Sequence, residues 1–79
     1  MEELVRYMVE SLVDNKEVVE VSSVDESEKV TVINVAVDKE DIGKVIGRNG
    51  KIAGSIRTIV KSASIKSGKR YIVKIGERD

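Results

Sequence analysis

The chain has 79 residues, 41% of them hydrophobic and 35% charged, and it contains no proline, cysteine or histidine. A chain this short makes one compact domain, and its apolar share is enough to close a core, which argues against disorder. Without Cys or His there are no thiolate nucleophiles, disulfides, Cys/His zinc sites or imidazole acid–base groups. No cofactor is expected.

The formal net charge of +0 conceals a split. Residues 1–41 carry four basic side chains against twelve acidic ones, residues 42–79 carry ten against two, and between Ile42 and Gly76 there is no acid. Such a split can present a basic surface to a polyanion if the halves stay apart in space, and cancels if they interleave. A cysteine-free chain fits a reducing cytoplasm. The start of the chain shows no signal-peptide pattern, and no apolar run is long enough to span a bilayer. These features set the expectation of a cytoplasmic protein that does not enter membranes.

Residues 2–14 predict a helix, because Leu4, Met8 and Leu12 recur at i+4 beside a second row, Val5, Val9 and Val13. Glu2 and Glu3 suit its N-terminal end, and Asp14-Asn15 suits its stop. Residues 17–24 predict a strand with Val19 and Val21 on one face, and Asp25 to Glu28 a polar turn. Residues 29–37, KVTVINVAV, are the strongest strand signal; Ile33, Val35 and Val37 line one face, and Val30, Val32 and Ala36 make the other partly apolar, as in a central strand. The short turn implies an antiparallel hairpin. Asp38 with Asp41 imitates a capping box for a short helix over 39–46 that ends at Gly47. A second helix opens after Gly50 and runs to about Ala63, with Ile52, Ile56, Ile59, Val60 and Ala63 marking its buried face. Ser67-Gly68 breaks the chain, and residues 69–75 predict a last strand with Tyr71, Val73 and Ile75 on one face. A helical crossover precedes that strand, so it pairs in parallel with the central one. The expectation is an α+β fold in the order α-β-β-α-α-β: a three-stranded mixed sheet with helices packed on one face.

The informative segment is Ile42-Gly43-Lys44-Val45-Ile46-Gly47-Arg48-Asn49-Gly50-Lys51-Ile52. Two short helices meet at Gly47-Arg48-Asn49-Gly50. Glycine lets a ligand backbone approach closely and permits unusual φ. The loop opens a helix, whose free N–H groups and dipole favour a phosphate. Arg48 and Lys51 add charge and Asn49 adds hydrogen-bonding capacity, none of which needs to know the base. Alone, G-x-x-G fits equally a helix corner that needs glycine for geometry. Here an apolar Val45-Ile46 precedes it, basic residues fill and follow it, and the element order agrees.

On these residues the chain resembles the KH domain family, whose loop clamps a short stretch of nucleic-acid backbone. The order of elements resembles the type II, prokaryotic arrangement over nearly all of residues 1–79: a helix–strand extension over 1–24 and a strand–helix–loop–helix–strand core over 29–76. Val45 to Gly50, followed by Ile56-Arg57-Thr58-Ile59-Val60, is similar to the small stand-alone bacterial KH proteins of the KhpA type. The resemblance implies a cytoplasmic binder of single-stranded RNA that works as a homodimer or with a larger KH-containing partner. It assigns the phosphate loop to Gly47, Arg48, Asn49 and Gly50, and the base-holding groove to Ile42, Gly43 and Val45 with the facing strand. Lys44, Lys51 and Arg57 then flank the backbone path. One departure stands out: Ala53 occupies the position, three after the second glycine, where the KH pattern has a large aliphatic residue, and Ile52 sits just before it. Gly54 inside the helix costs on the order of 1 kcal/mol against alanine and suits close packing of another backbone.

Ile46, Ile56 and Val60 are expected in the core, as is Tyr71. Lys66, Lys69, Arg70 and Lys74 are expected to form a solvated basic face. With two tyrosines as the only aromatics, a stacking platform of the RRM or OB type has little support. No Gly-Lys-Ser/Thr ending makes a P-loop of the glycine segment, and no carboxylate pair suggests an enzyme. The alternatives to RNA binding are a protein-interaction module that dimerises through the second helix, with Ile56, Ile59 and Val60 partly exposed, and single-stranded DNA binding.

Overall fold

A computed structural model describes residues 1–78. Its elements are α1 (Glu2–Glu10), β1 (Glu20–Asp25), β2 (Val30–Val37), α2 (Ile42–Ile46), α3 (Lys51–Ser64) and β3 (Arg70–Glu77), with single 3₁₀ turns over Lys16–Val18, Arg48–Gly50 and Ile65–Ser67. The β-branched run of β2 takes the middle of the sheet. It pairs antiparallel with β1, Ser23 opposite Ile33, and parallel with β3, Ile33 opposite Val73. Both pairings agree with the expected mixed sheet.

The register puts Val21, Ile33, Val35, Val37 and Val73 on the face covered by helices. Val5 and Val9 of α1, Val45 of α2, and Ile56 and Val60 of α3 close onto them as one cluster. The core is almost wholly valine and isoleucine: stiff side chains that pack with little loss of rotamer freedom. On the other face Val32 lies in a cross-strand row between Val24 and Ile72 and is buried too, apart from the main cluster.

Three boundaries differ from expectation, and each has a local cause. α1 ends at Glu10, because the Ser11 hydroxyl donates to Met8 O and the Leu12 amide to Val9 O, closing a tight turn. Val13 is still buried, so the i+4 row marked burial beyond the helix itself. Glu17 and Val18 are wound into a 3₁₀ turn, so β1 starts only at Glu20. α2 starts at Ile42 because Asp38 makes a turn instead of a cap: its carboxylate accepts from Glu40 N at 2.9 Å and its carbonyl from Asp41 N at 2.8 Å. On α3 the buried stripe is Ala53, Ile56, Val60 and Ser64, while Ile59 and Ala63, expected inside, are exposed.

Candidate nucleic-acid interface

The Gly47–Gly50 loop is held by backbone conformations that ordinary residues avoid. Gly47 sits at φ 76°, ψ 172°, a region essentially restricted to glycine. A Cβ there would lie 2.6 Å from Ile52 Cγ1 and 2.9 Å from Ile52 N, so the position is closed sterically as well. Asn49 (φ 56°) and Gly50 (φ 74°) are both left-handed, and the Gly50 amide donates to Gly47 O at 3.2 Å. The result is a tight corner that holds Arg48 and Asn49 out in solvent. α3 begins directly behind it, and no side chain caps its first N–H groups. Those amides and the positive end of a 14-residue helix stand beside an exposed guanidinium, an arrangement that favours an anion.

Ile52 explains how the chain accommodates Ala53. Ala53 is 1% exposed and lies on the buried face of α3. Ile52 packs against the core and against Gly47, so it supplies the bulk beside the loop. Gly54 has no neighbour within 4 Å of an added Cβ, so no backbone packs closely on it in this chain.

The other expected site residues divide by environment. Gly43 and Lys51 are exposed, and Arg57 is exposed at the middle of α3. Val45, expected to border the base-holding groove, has no exposed surface and belongs to the core, so its side chain is not open to a ligand. Ile42 packs against the core, whereas half-buried Ile46, expected in the core, is not part of that packing.

Lys44 is engaged elsewhere. Its ammonium pairs with Asp14 and, at 3.4 Å, with Asp41. Asp41 is the hub of this corner. Its side chain is 1% exposed and accepts from the Asp14 amide at 3.2 Å, the Asn15 amide at 3.0 Å and Asn15 Nδ2 at 3.3 Å. The Asn15 amide does most to hold the Asp41 carboxyl below its ordinary range, burial opposes it, and the Asp14 amide and Lys44 add to it. Lys44 is raised above its ordinary value, chiefly by its hydrogen bond to Asp14. The chain thus ties the α1–β1 connection to the root of α2, which carries the glycine loop.

β3 is a free sheet edge. The Arg70 and Arg78 amides donate to Lys29 O and Val37 O, on the β2 side. Backbone groups alternate sides along a strand, so those of Tyr71, Val73 and Ile75 point away from β2. Arg57 Nε donates to one of them, Val73 O, at 3.3 Å. Between α3 and this edge runs a cleft of about 370 Å³ whose lining includes Arg57, Lys61, Ser64, Arg70 and Tyr71. Lys61 and Arg70 were not among the expected site residues. Their signal in the sequence is the i+4 spacing of Arg57 and Lys61 on a helix antiparallel to the last strand. Tyr71 is half-buried and packs against the core, as expected, with one side reaching the cleft.

Among the described residues the ion pairs join acids to Arg6, Lys44 and Arg78, and none involves Arg48, Lys51, Arg57, Lys61 or Arg70. The acidic and basic halves touch at Lys44 and Arg78, and the loop and cleft keep their positive charge. No helix is long and apolar enough to cross a membrane among the described residues.

Residues 2–75 match the family model described as "KhpA/KhpB, KH domain". A protein of Caldanaerobacter subterraneus subsp. tengcongensis named RNA-binding protein KhpA is 47% identical over 75 residues, 95% of this chain and 99% of that protein. Another of that name from Clostridium perfringens is also 47% identical over 75 residues with the same coverage, and one from Aquifex aeolicus is 42% identical over 77 residues, covering 98% of this chain and 96% of its own length. No solved structure matches the chain significantly. Glycine corner, element order and sequence similarity agree, and the chain belongs to the KhpA/KhpB family of KH domains.

Proposed function

We propose that the chain is a non-catalytic RNA-binding protein that seats the backbone of a short single-stranded segment on Gly47, Arg48, Asn49 and Gly50. The observation that carries this reading is the corner itself: glycine-only backbone at Gly47, two exposed polar side chains at its tip, and an uncapped helix start behind it. Phosphate contacts position the strand without reading sequence. Lys51 and Arg57 flank its path, and Ile42, Gly43 and Ile46 border the groove into which bases turn. The outward backbone groups of β3 offer donors and acceptors to base edges. Lys44 contributes less than its sequence position implies, because two carboxylates already share its charge. The relatives' name, RNA-binding protein KhpA, favours RNA over single-stranded DNA, and RNA as ligand fits a cytoplasmic site of action.

The test is fluorescence anisotropy with short single-stranded RNA and matched DNA across a salt series. The wild type is compared with the Arg48→Asp, Asn49→Asp double variant, with circular dichroism to confirm folding. The reading expects salt-sensitive RNA binding that the folded variant loses. Equal binding by both proteins would contradict it.

A second reading concerns partners and coexists with the first. Ile59 is 47% exposed on the outer face of α3. This face suits a second copy of the chain or a larger KH-containing protein. Pairing two modest sites would raise affinity through effective concentration.

A further inference from the structure

α2 has five residues, too few to hold a helix by its own hydrogen bonds, yet the Gly47–Gly50 loop follows it directly. Its apolar side is anchored by Val45 in the core. Its root is anchored by Asp41, and in an unusual way. Asp41 occupies the N-cap position, where an aspartate ordinarily accepts from the first amides of its own helix. Here its side chain makes no such bond. Oδ1 accepts instead from the Asp14 amide at 3.2 Å, and Oδ2 from the Asn15 amide at 3.0 Å and Asn15 Nδ2 at 3.3 Å. These donors belong to the connection between α1 and β1, 27 and 26 residues away in sequence.

The Asp41 side chain is 1% exposed, so it is closed to RNA, and any effect on binding must pass through geometry. A buried charge that accepts several N–H bonds makes a stiff junction, because moving one partner leaves a charge or a donor without water and without a mate. The root of α2 is thereby fixed to the α1–β1 connection. A glycine corner that offers amides and side chains to a phosphate binds best when those groups are already in place before the ligand arrives.

We propose that Asp41 is a positioning residue for RNA binding: its carboxylate clasps the Asp14-Asn15 segment, fixes α2, and so holds the glycine loop in its binding geometry. The proposal rests on the RNA-binding reading above. It gives the α1–β1 connection, which does not reach the loop, a part in the loop's affinity. Simple charge predicts the opposite effect, since removing a carboxylate should favour a polyanion. The sign of the change therefore separates the two accounts.

The experiment compares the wild type with Asp41→Asn and Asp14→Asn, by anisotropy with a short single-stranded RNA. Both variants remove one negative charge, and both remove one carboxylate that pairs with Lys44. Asp14→Asn keeps its backbone amide and leaves the Asp41 junction intact, whereas Asp41→Asn turns an NH2 group towards amide donors. Binding is measured well below each melting transition and expressed per folded molecule, with circular dichroism giving the folded fraction. Asp14→Asn should bind about two-fold more tightly, as expected for release from one exposed ion pair. Asp41→Asn should bind about ten-fold more weakly, the low end of what is lost with a group that orients a ligand-contacting residue. In the free Asp41→Asn protein the amides of Gly47, Arg48, Asn49 and Gly50 should show lower heteronuclear NOE values than in the wild type. Binding by Asp41→Asn as tight as the wild type's, or tighter, overturns the proposal. A weaker affinity with unchanged loop NOE values overturns it too. If Asp41→Asn does not fold, Asn15→Ala removes one donor at constant charge and should bind more weakly than the wild type; unchanged affinity overturns the proposal. Absence of RNA binding by the wild type, or unchanged binding by the Arg48→Asp, Asn49→Asp variant, overturns the loop reading itself and with it any positioning role for Asp41.

Discussion

At Gly47 two constraints coincide, the backbone region and the Ile52 side chain, whereas Gly50 is constrained by its φ alone. Gly47→Ala should therefore destabilise the fold by about 1–3 kcal/mol of backbone strain plus the displacement of Ile52, and lower Tm more than Gly50→Ala does. Thermal melts of the two variants check the order. Asp41 gives a pH prediction. Its folded pKa lies below the ordinary 3.8, so its stabilisation is fully present above that value and is lost as pH falls through the folded value. Wild-type stability should decline below about pH 4, and Asp41→Asn should be less stable at neutral pH with a flatter acid limb; parallel limbs in the two proteins would refute this. Asp14 is exposed and shares the Lys44 ammonium. Asp14→Asn should release that charge towards the loop, tighten RNA binding and steepen its salt dependence, which anisotropy across salt will show.

At the scale of elements, α3 carries most of the functional argument, since its N-terminus, cleft stripe and outer face are three different surfaces. Gly54 contacts nothing that a methyl would strike. Gly54→Ala should therefore raise stability by about 1 kcal/mol, seen as a higher Tm, and unchanged RNA affinity would place it outside the groove. Ile59→Glu should leave the monomer fold intact and abolish any self-association seen by analytical ultracentrifugation. Much of this was legible in the sequence because period and burial coincide: KVTVINVAV alternates as a strand with apolar residues on both faces, which suits a central one, and the glycine corner stands between two apolar segments. The rest was not legible for reasons of distance. Asp41 looked like part of a local capping box, but its carboxylate is consumed by amides at Asp14 and Asn15, 27 and 26 residues away. Val13 continued a helical row though the helix had ended, because burial, not helicity, sets the pattern. Lys61 and Arg70 became neighbours only when α3 turned back along β3.

For the molecule as a whole, the balanced charge is a segregated one. Acids of the first half reach the basic half at Lys44 and Arg78, near the two ends of the segment, and leave the loop, the flank of α3 and the cleft positive. This fits a neutral protein that attracts a polyanion to one side only. One KH unit contacts about four nucleotides, so pairing with a second copy would raise affinity through effective concentration. The measurement that tests the central claim most directly is an NMR titration of the isotope-labelled protein with a short single-stranded RNA. The account predicts that the amides of Gly47, Arg48, Asn49, Gly50 and Lys51 shift first and most, followed by Arg57 and the outward residues of β3. Shifts confined to the outer face of α3 around Ile59, or to α1, with the loop amides unmoved, would contradict it.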